Sequence, residues 1–178
     1  MRPNRHLALL VIAGLAATSC GYSLAGRGVF LPSYIQVIGV PAFTNGSPYF
    51  GIEQPFTDKI RSEFIGRGRY RVLPQETGVD AVLRGSILSI SIQPSNFNAQ
   101  QQATRYLVTI TTKIEFVDLQ ANKTLWENPS MVVREEYDLP PDIQAADPQV
   151  FLGSAANALG RITTEFARTV VSAILEAF

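Results

Sequence analysis

The chain has 178 residues, with 15 Lys+Arg against 15 Asp+Glu, 46% hydrophobic and 17% charged. This suits one compact domain rather than a disordered tail or a multi-domain enzyme. The even charge balance argues against nucleic acid, because phosphate-backbone binding needs a basic excess on one face.

In chain order, Arg2 and Arg5 precede an apolar run over residues 7–17, the layout of a signal peptide. A membrane span needs about 20 apolar residues, so the run is too short to persist as a transmembrane helix. Ala17-Thr18-Ser19 leads into Cys20, the only cysteine, and resembles the lipobox of bacterial lipoproteins, whose cysteine is lipidated and becomes the new amino terminus. The organisation expected is therefore a signal peptide over 1–19, a lipidated tether over 20–33 and a single domain over 34–178. Two or more acyl chains on Cys20 would hold the protein to a bilayer, at about 0.8 kcal/mol per buried CH₂.

Cleavage before Cys20 removes 19 residues, Arg2 and Arg5 among them, and leaves 159 residues with 13 basic and 15 acidic side chains. It also removes His6, the only histidine. A chain with neither histidine nor free cysteine cannot build a Ser-His-Asp triad, a Cys-His nucleophile, a histidine-containing zinc site, an iron–sulfur site or a disulfide. No enzymatic activity, cofactor or metal is expected.

Gly21, Gly26, Gly28, Pro32 and Ser33 suit a tether. The Ile, Val and Tyr content of 34–40 predicts a buried strand, ended by turn signals at Asn45-Gly46 and Ser47-Pro48. Phe56, Ile60 and Phe64 recur every four residues and predict a helix, with Pro55 in its first turn and Gly66 or Gly68 as its left-handed stop. Strands are predicted over 70–73 and 81–92. Leu83 and Ile87 share one parity and Leu88, Ile90 and Ile92 the other, so a bulge is expected between 85 and 88.

Residues 94–104 read as an exposed polar connection. The next strand, 105–117, alternates Tyr106, Val108, Ile110, Ile114 and Phe116 with Arg105, Thr109, Thr111, Lys113 and Glu115, the pattern of a sheet with one buried and one polar face. Its hairpin partner over 124–137 contains Pro129, which requires an edge or a bulge. Asp147-Pro148 reads as the start of a final helix, with an apolar stripe through Leu152, Ala155, Leu159, Ile162, Phe166, Val170, Ile174 and Phe178. Two helices with one apolar stripe each predict an α+β two-layer sandwich, the helices packed on one face of a mostly antiparallel, four- to five-stranded mixed sheet.

Other candidate sites have simpler readings. Gly26-Arg27-Gly28 and Gly66-Arg67-Gly68 continue into no phosphate-binding fingerprint. Arg61, Arg67, Arg69 and Arg71 form a basic cluster that faces either anionic head groups or solvent. Glu135 and Glu136, adjacent on a strand, point to opposite faces and do not converge as a catalytic pair. Trp126, Tyr106 and Phe116 lie on the buried parity and read as core.

Cys20-Gly21-Tyr22-Ser23-Leu24, Leu31-Pro32, residues 35–40, Pro41-Ala42-Phe43-Thr44-Asn45 and Glu53 at the helix start resemble the LPS-assembly lipoprotein family, LptE. The resemblance implies a non-enzymatic lipoprotein on the periplasmic side of the outer membrane, which plugs an LptD-like β-barrel, helps it assemble and assists lipopolysaccharide delivery to the cell surface. Gly21 after the cysteine is compatible with outer-membrane sorting. Family members proposed to touch lipopolysaccharide use basic loop residues, whereas 94–104 here is uncharged and Arg105 is the nearest cation. The hairpin over 105–137 is expected to enter the barrel lumen, with Arg105, Thr109, Thr111 and Lys113 as contacts to the polar wall or to lipopolysaccharide. Residues 40–45, the helix and the strands over 69–73 and 81–90 also resemble adaptor lipoproteins of the CsgG and LpoB type, which leaves a protein-binding adaptor as the alternative.

Overall fold

A computed structural model describes residues 31–138 and 156–177. The expected signal peptide, Cys20, the glycines ahead of residue 31, the helix start expected at Asp147-Pro148, Leu152, Ala155 and Phe178 lie outside the described residues. In chain order the elements are β1 (Val37–Gly39), β2 (Thr44–Asn45), α1 (Glu53–Gly66), β3 (Arg71–Leu73), β4 (Ala81–Phe97), β5 (Ala103–Asp118), β6 (Lys123–Asp138) and α2 (Ala156–Glu176).

The strands form one mixed sheet in the order β3-β1-β4-β5-β6, with β2 also paired to β4. β1 runs parallel to β3 and β4, and β2 parallel to β4, while β4, β5 and β6 form an antiparallel meander. This is the α+β architecture expected, with a sixth strand supplied by the two-residue β2, which sequence reading left inside a loop. The first strand is shorter than the 34–40 expected, because Tyr34 lies in a turn closed by Ile35 N–H donating to Pro32 O at 2.9 Å.

The apolar faces of both helices meet one side of the sheet. Phe56, Ile60 and Phe64 of α1, Ile162, Phe166, Val170 and Ile174 of α2, and Ile110, Ile114 and Phe116 of β5 are all buried in one cluster. Phe166 joins the layers: its ring meets Phe56 edge-on at 4.9 Å and Phe43 at 6.3 Å. Such aromatic geometry adds to the burial itself. α1 stops where expected, at Gly68, whose φ of +71° favours glycine.

Two features of β4 and β5 matter for function. The bulge expected near 85–88 is present as a register shift between Ile87 and Ser89. The polar connection expected over 94–104 is not: β4 continues to Phe97, β5 starts at Ala103, and only residues 98–102 turn the chain. Pro94 is tolerated because no described strand pairs with that side of β4, so its missing N–H breaks no ladder. Asn98 closes the turn, its side-chain oxygen accepting from the N–H groups of Gln100 and Gln102. On β6, Pro129 falls within a register shift on an edge strand, as it must. With 17 residues, β4 is about 55 Å long at ~3.3 Å per residue.

Candidate partner-binding face

The helices cover one face of the sheet, and among the described residues nothing covers the other. Along β5 the residues that alternate with the buried Val108, Ile110, Thr112, Ile114 and Phe116 point away from the helices, and these include Arg105, Thr109, Thr111 and Lys113. Thr112 is a polar exception on the buried side, satisfied by donating to Met131 O at 3.3 Å.

Register extends this bare face across three strands. Thr109 stands between Ser91 and Arg134, and Thr111 between Ser89 and Val132. The centre is thus a field of hydroxyls, Ser89, Ser91, Thr109 and Thr111, with exposed Val132 beside it. Sequence reading found the threonines and missed the serines and Arg134. The Ser-Ile-Ser-Ile alternation of 89–92 carried the signal, but only the pairing register shows which hydroxyls stand next to which.

The two candidate cations differ in kind. Arg105 is neutralised in place: its Nε donates to Asp138 Oδ1 at 2.7 Å and an Nη to Glu136 Oε2 at 3.4 Å. The Asp138 carboxylate, with help from Glu136, raises the arginine's pKa. Arg105 therefore closes the open end of the β5–β6 hairpin and does not stand as a free charge. Lys113 is exposed, and among the described residues no ion pair or hydrogen bond engages its ammonium.

Lys113 edges a cavity of about 270 Å³ bounded by Pro41, Thr44, Glu76, Arg84, Ser86 and Glu115. The cavity opens where the chain passes from β1 to β2 and leaves that side of β4 without a described partner over Leu83–Gly85, whose other side pairs with β5. Gly85 permits this path, since a β-carbon there would overlap the Phe43 ring. Arg84 clasps Glu76 with two contacts, 3.0 and 2.7 Å, which lowers the Glu76 pKa. Thr44 Oγ1 donates to Ser86 Oγ at 2.8 Å.

The remaining charged candidates are committed internally. Arg61 donates Nε and an Nη to Val40 O at 2.9 and 2.8 Å, and Arg67 pairs with Glu63 at 3.0 Å. The basic cluster is thus used in part to tie α1 to the β1–β2 loop. Glu135 and Glu136 do diverge, Glu135 pairing with Arg161 of α2 at 2.7 Å and Glu136 with Arg105. Among the described residues, no three His, Cys, Asp or Glu side chains converge as a metal site would need, and no helix is long and apolar enough to cross a membrane.

The lipopolysaccharide-assembly family model, LptE, matches residues 35–174. The chain belongs to the LptE family. The match runs from the strand ahead of α1 to the last turns of α2, so it takes in the whole bare face of this LptE domain. Membership places the chain among lipopolysaccharide-assembly proteins.

No curated protein matches the chain. Among solved structures, protein XCC0632 from Xanthomonas campestris is similar with a TM-score of 0.52 and 13% identity, over 83% of this chain and 90% of that one. The hypothetical protein CT253 from Chlamydia trachomatis is similar with a TM-score of 0.51 and 9% identity, over 78% and 95%. Rare lipoprotein B from Shewanella oneidensis gives 0.48 and 11%, over 78% and 93%. At these identities the first two likenesses establish a shared fold.

Proposed function

We propose that this LptE-family protein is an outer-membrane lipoprotein, anchored through acyl chains on Cys20, that plugs an LptD-like β-barrel, helps it assemble and assists lipopolysaccharide delivery. The role is non-enzymatic. The observation that supports it is the family match over 35–174 in a domain whose sheet, among the described residues, leaves one long face bare of helices. That face is hydroxyl-rich and carries an unpaired lysine, a chemistry suited to the polar interior of a membrane barrel. Thr109, Thr111 and Lys113 are the direct contacts in this reading. Arg105 contributes by holding the hairpin end closed through Asp138 and Glu136.

Purification of the tagged protein from membranes is expected to recover an outer-membrane β-barrel. Recovery of a peptidoglycan synthase, or of a ring of its own copies, would overturn the reading. A double charge reversal, Arg105→Glu with Lys113→Glu, is expected to reduce barrel recovery and raise antibiotic permeability, and the reading loses its contact face if both are unchanged. Mass spectrometry of the native product is expected to find Cys20 at the amino terminus bearing acyl chains. A bare thiol or a retained leader would remove the anchor.

A further inference from the structure

Besides the outer side of the two-residue β2, the sheet has three edges among the described residues, and they are not equally protected. β3 is three residues long. The outer edge of β6 carries Glu127, Arg134, Glu135, Glu136 and Asp138 and is broken by the register shift at Pro129. Charges, proline and bulges are the devices that keep an edge from pairing with another chain.

The third edge lies on β4. Pairing with β2 ends at Ile87, whose carbonyl accepts the Gly46 N–H at 2.8 Å. From Ser89 to Phe97, about 30 Å of strand, no described element pairs with that side of β4. Residues 88–97 contain no charged side chain. Exposed apolar side chains stand at both ends, Leu88 at 44% and Phe97 at 58%. Between them Ile90 and Ile92 are only half-buried on the helix-side face, while Ser89, Ser91 and Gln93 are exposed on the other.

We infer that the Ser89–Gln93 edge of β4 accepts an extended loop or terminal segment of the barrel partner by β-augmentation, since the barrel's own strands are already paired on both sides, an inference that rests on the function proposed above. A row of free N–H and C=O groups is recognised by another peptide backbone, and the alternate side chains select the sequence. The incoming strand would be uncharged, with apolar residues beside Ile90 and Ile92 and small polar residues beside Ser89 and Ser91. Register shifts after Ile87 and after Pro94 limit pairing with any partner to a few residues, so a second copy joined by this edge alone would fall far short of the ~800 Å² per partner of a stable interface. A segment of the barrel partner gains the missing area because the barrel wall already meets the adjoining hydroxyl face and Lys113 in the function proposed above.

The test places a photo-crosslinking residue at Ser91, Gln93, Lys113 or Glu127 of the full chain in cells. Barrel adducts are expected from positions 91, 93 and 113, and none from 127. A barrel adduct from 113 but not from 91 or 93 overturns the edge inference while sparing the function. Adducts from 91 or 93 to a second copy also overturn it, and absence of barrel adducts from all three sinks the function with it. Ser91→Pro and Ile92→Pro supply a second readout, because adjacent strand residues turn their N–H groups to opposite sides. The variant whose melting temperature moves less has lost only the free-edge donor and is expected to recover at least tenfold less barrel. Unchanged recovery overturns the inference.

Discussion

The Tyr34 hydroxyl donates a hydrogen bond to the Asp118 carboxylate, 84 residues further along the chain. Asp118 is 1% exposed and also accepts the N–H groups of Gln120 and Ala121 at 2.8 and 2.9 Å. Next to it, Asp80 accepts the N–H groups of Gln36 and Val37 at 3.0 and 2.8 Å and the Gln120 side chain at 2.9 Å. Two carboxylates thus clasp the segment entering β1 to the β5–β6 turn.

That clasp makes stability sensitive to acid. Burial pushes the Asp118 carboxyl up, but the Tyr34 hydroxyl and the Ala121 and Gln120 N–H groups outweigh it and hold the pKa below the usual value. The Gln36 and Val37 N–H groups lower Asp80 likewise. A depressed folded pKa gives stability that is present above the unfolded carboxylate range, near 4, and lost as pH falls through the folded value. The melting temperature is therefore expected to drop steeply below about pH 4, and the double variant Asp80→Asn, Asp118→Asn to show a flatter acid limb. An unchanged slope in a thermal melt series would remove the clasp from the account.

Gly85→Ala forces a β-carbon into the Phe43 ring. Overpacking of this kind costs about 1–3 kcal/mol, read as a lower denaturant midpoint. Adding Phe43→Leu is expected to recover part of the loss, since it withdraws the ring edge. Additive effects in the double variant would mean that the strain lies elsewhere.

Phe166→Ala is expected to cost about 3–5 kcal/mol in chemical denaturation. The ring is fully buried and is the contact through which α2 reaches Phe56 and Phe43. Phe166→Leu keeps much of the volume and is expected to cost clearly less. Equal losses would show that edge-on ring geometry, rather than volume, carries the site.

Of the two cations on the bare face, Lys113 is the one expected to matter for partner affinity. Arg105 is already balanced by Asp138 and Glu136. Lys113→Glu is expected to weaken barrel association about two- to fivefold, as for an exposed charge worth up to ~1 kcal/mol, and Arg105→Gln to leave affinity nearly unchanged. Titration of purified barrel and lipoprotein distinguishes them, and the reverse order would contradict the geometry.

Much of the fold is legible in single-residue periodicity. The four-residue spacing of Phe56, Ile60 and Phe64 marked α1, the alternation from Tyr106 to Phe116 marked β5, and the parity change after Ile87 marked the bulge. The misreadings share one cause. Polar content at 94–104 suggested a loop, but a strand with one unpaired edge and one solvent-facing side tolerates proline, serine and asparagine without loss of hydrogen bonds. The reach of Arg105 to Asp138 was equally hidden, because pairing register across a hairpin is set by two strands together.

The amino-acid sequence alone determines both helices, most of the strands and which side of each is apolar, because each of these depends on residues within a few positions of one another. Tertiary structure alone decided that, among the described residues, Arg105 is spent while Lys113 is free, that Gly85 makes room for Phe43, and that β4 has an edge no described strand pairs. Those outcomes are set by neighbours tens of residues away, which no local pattern contains.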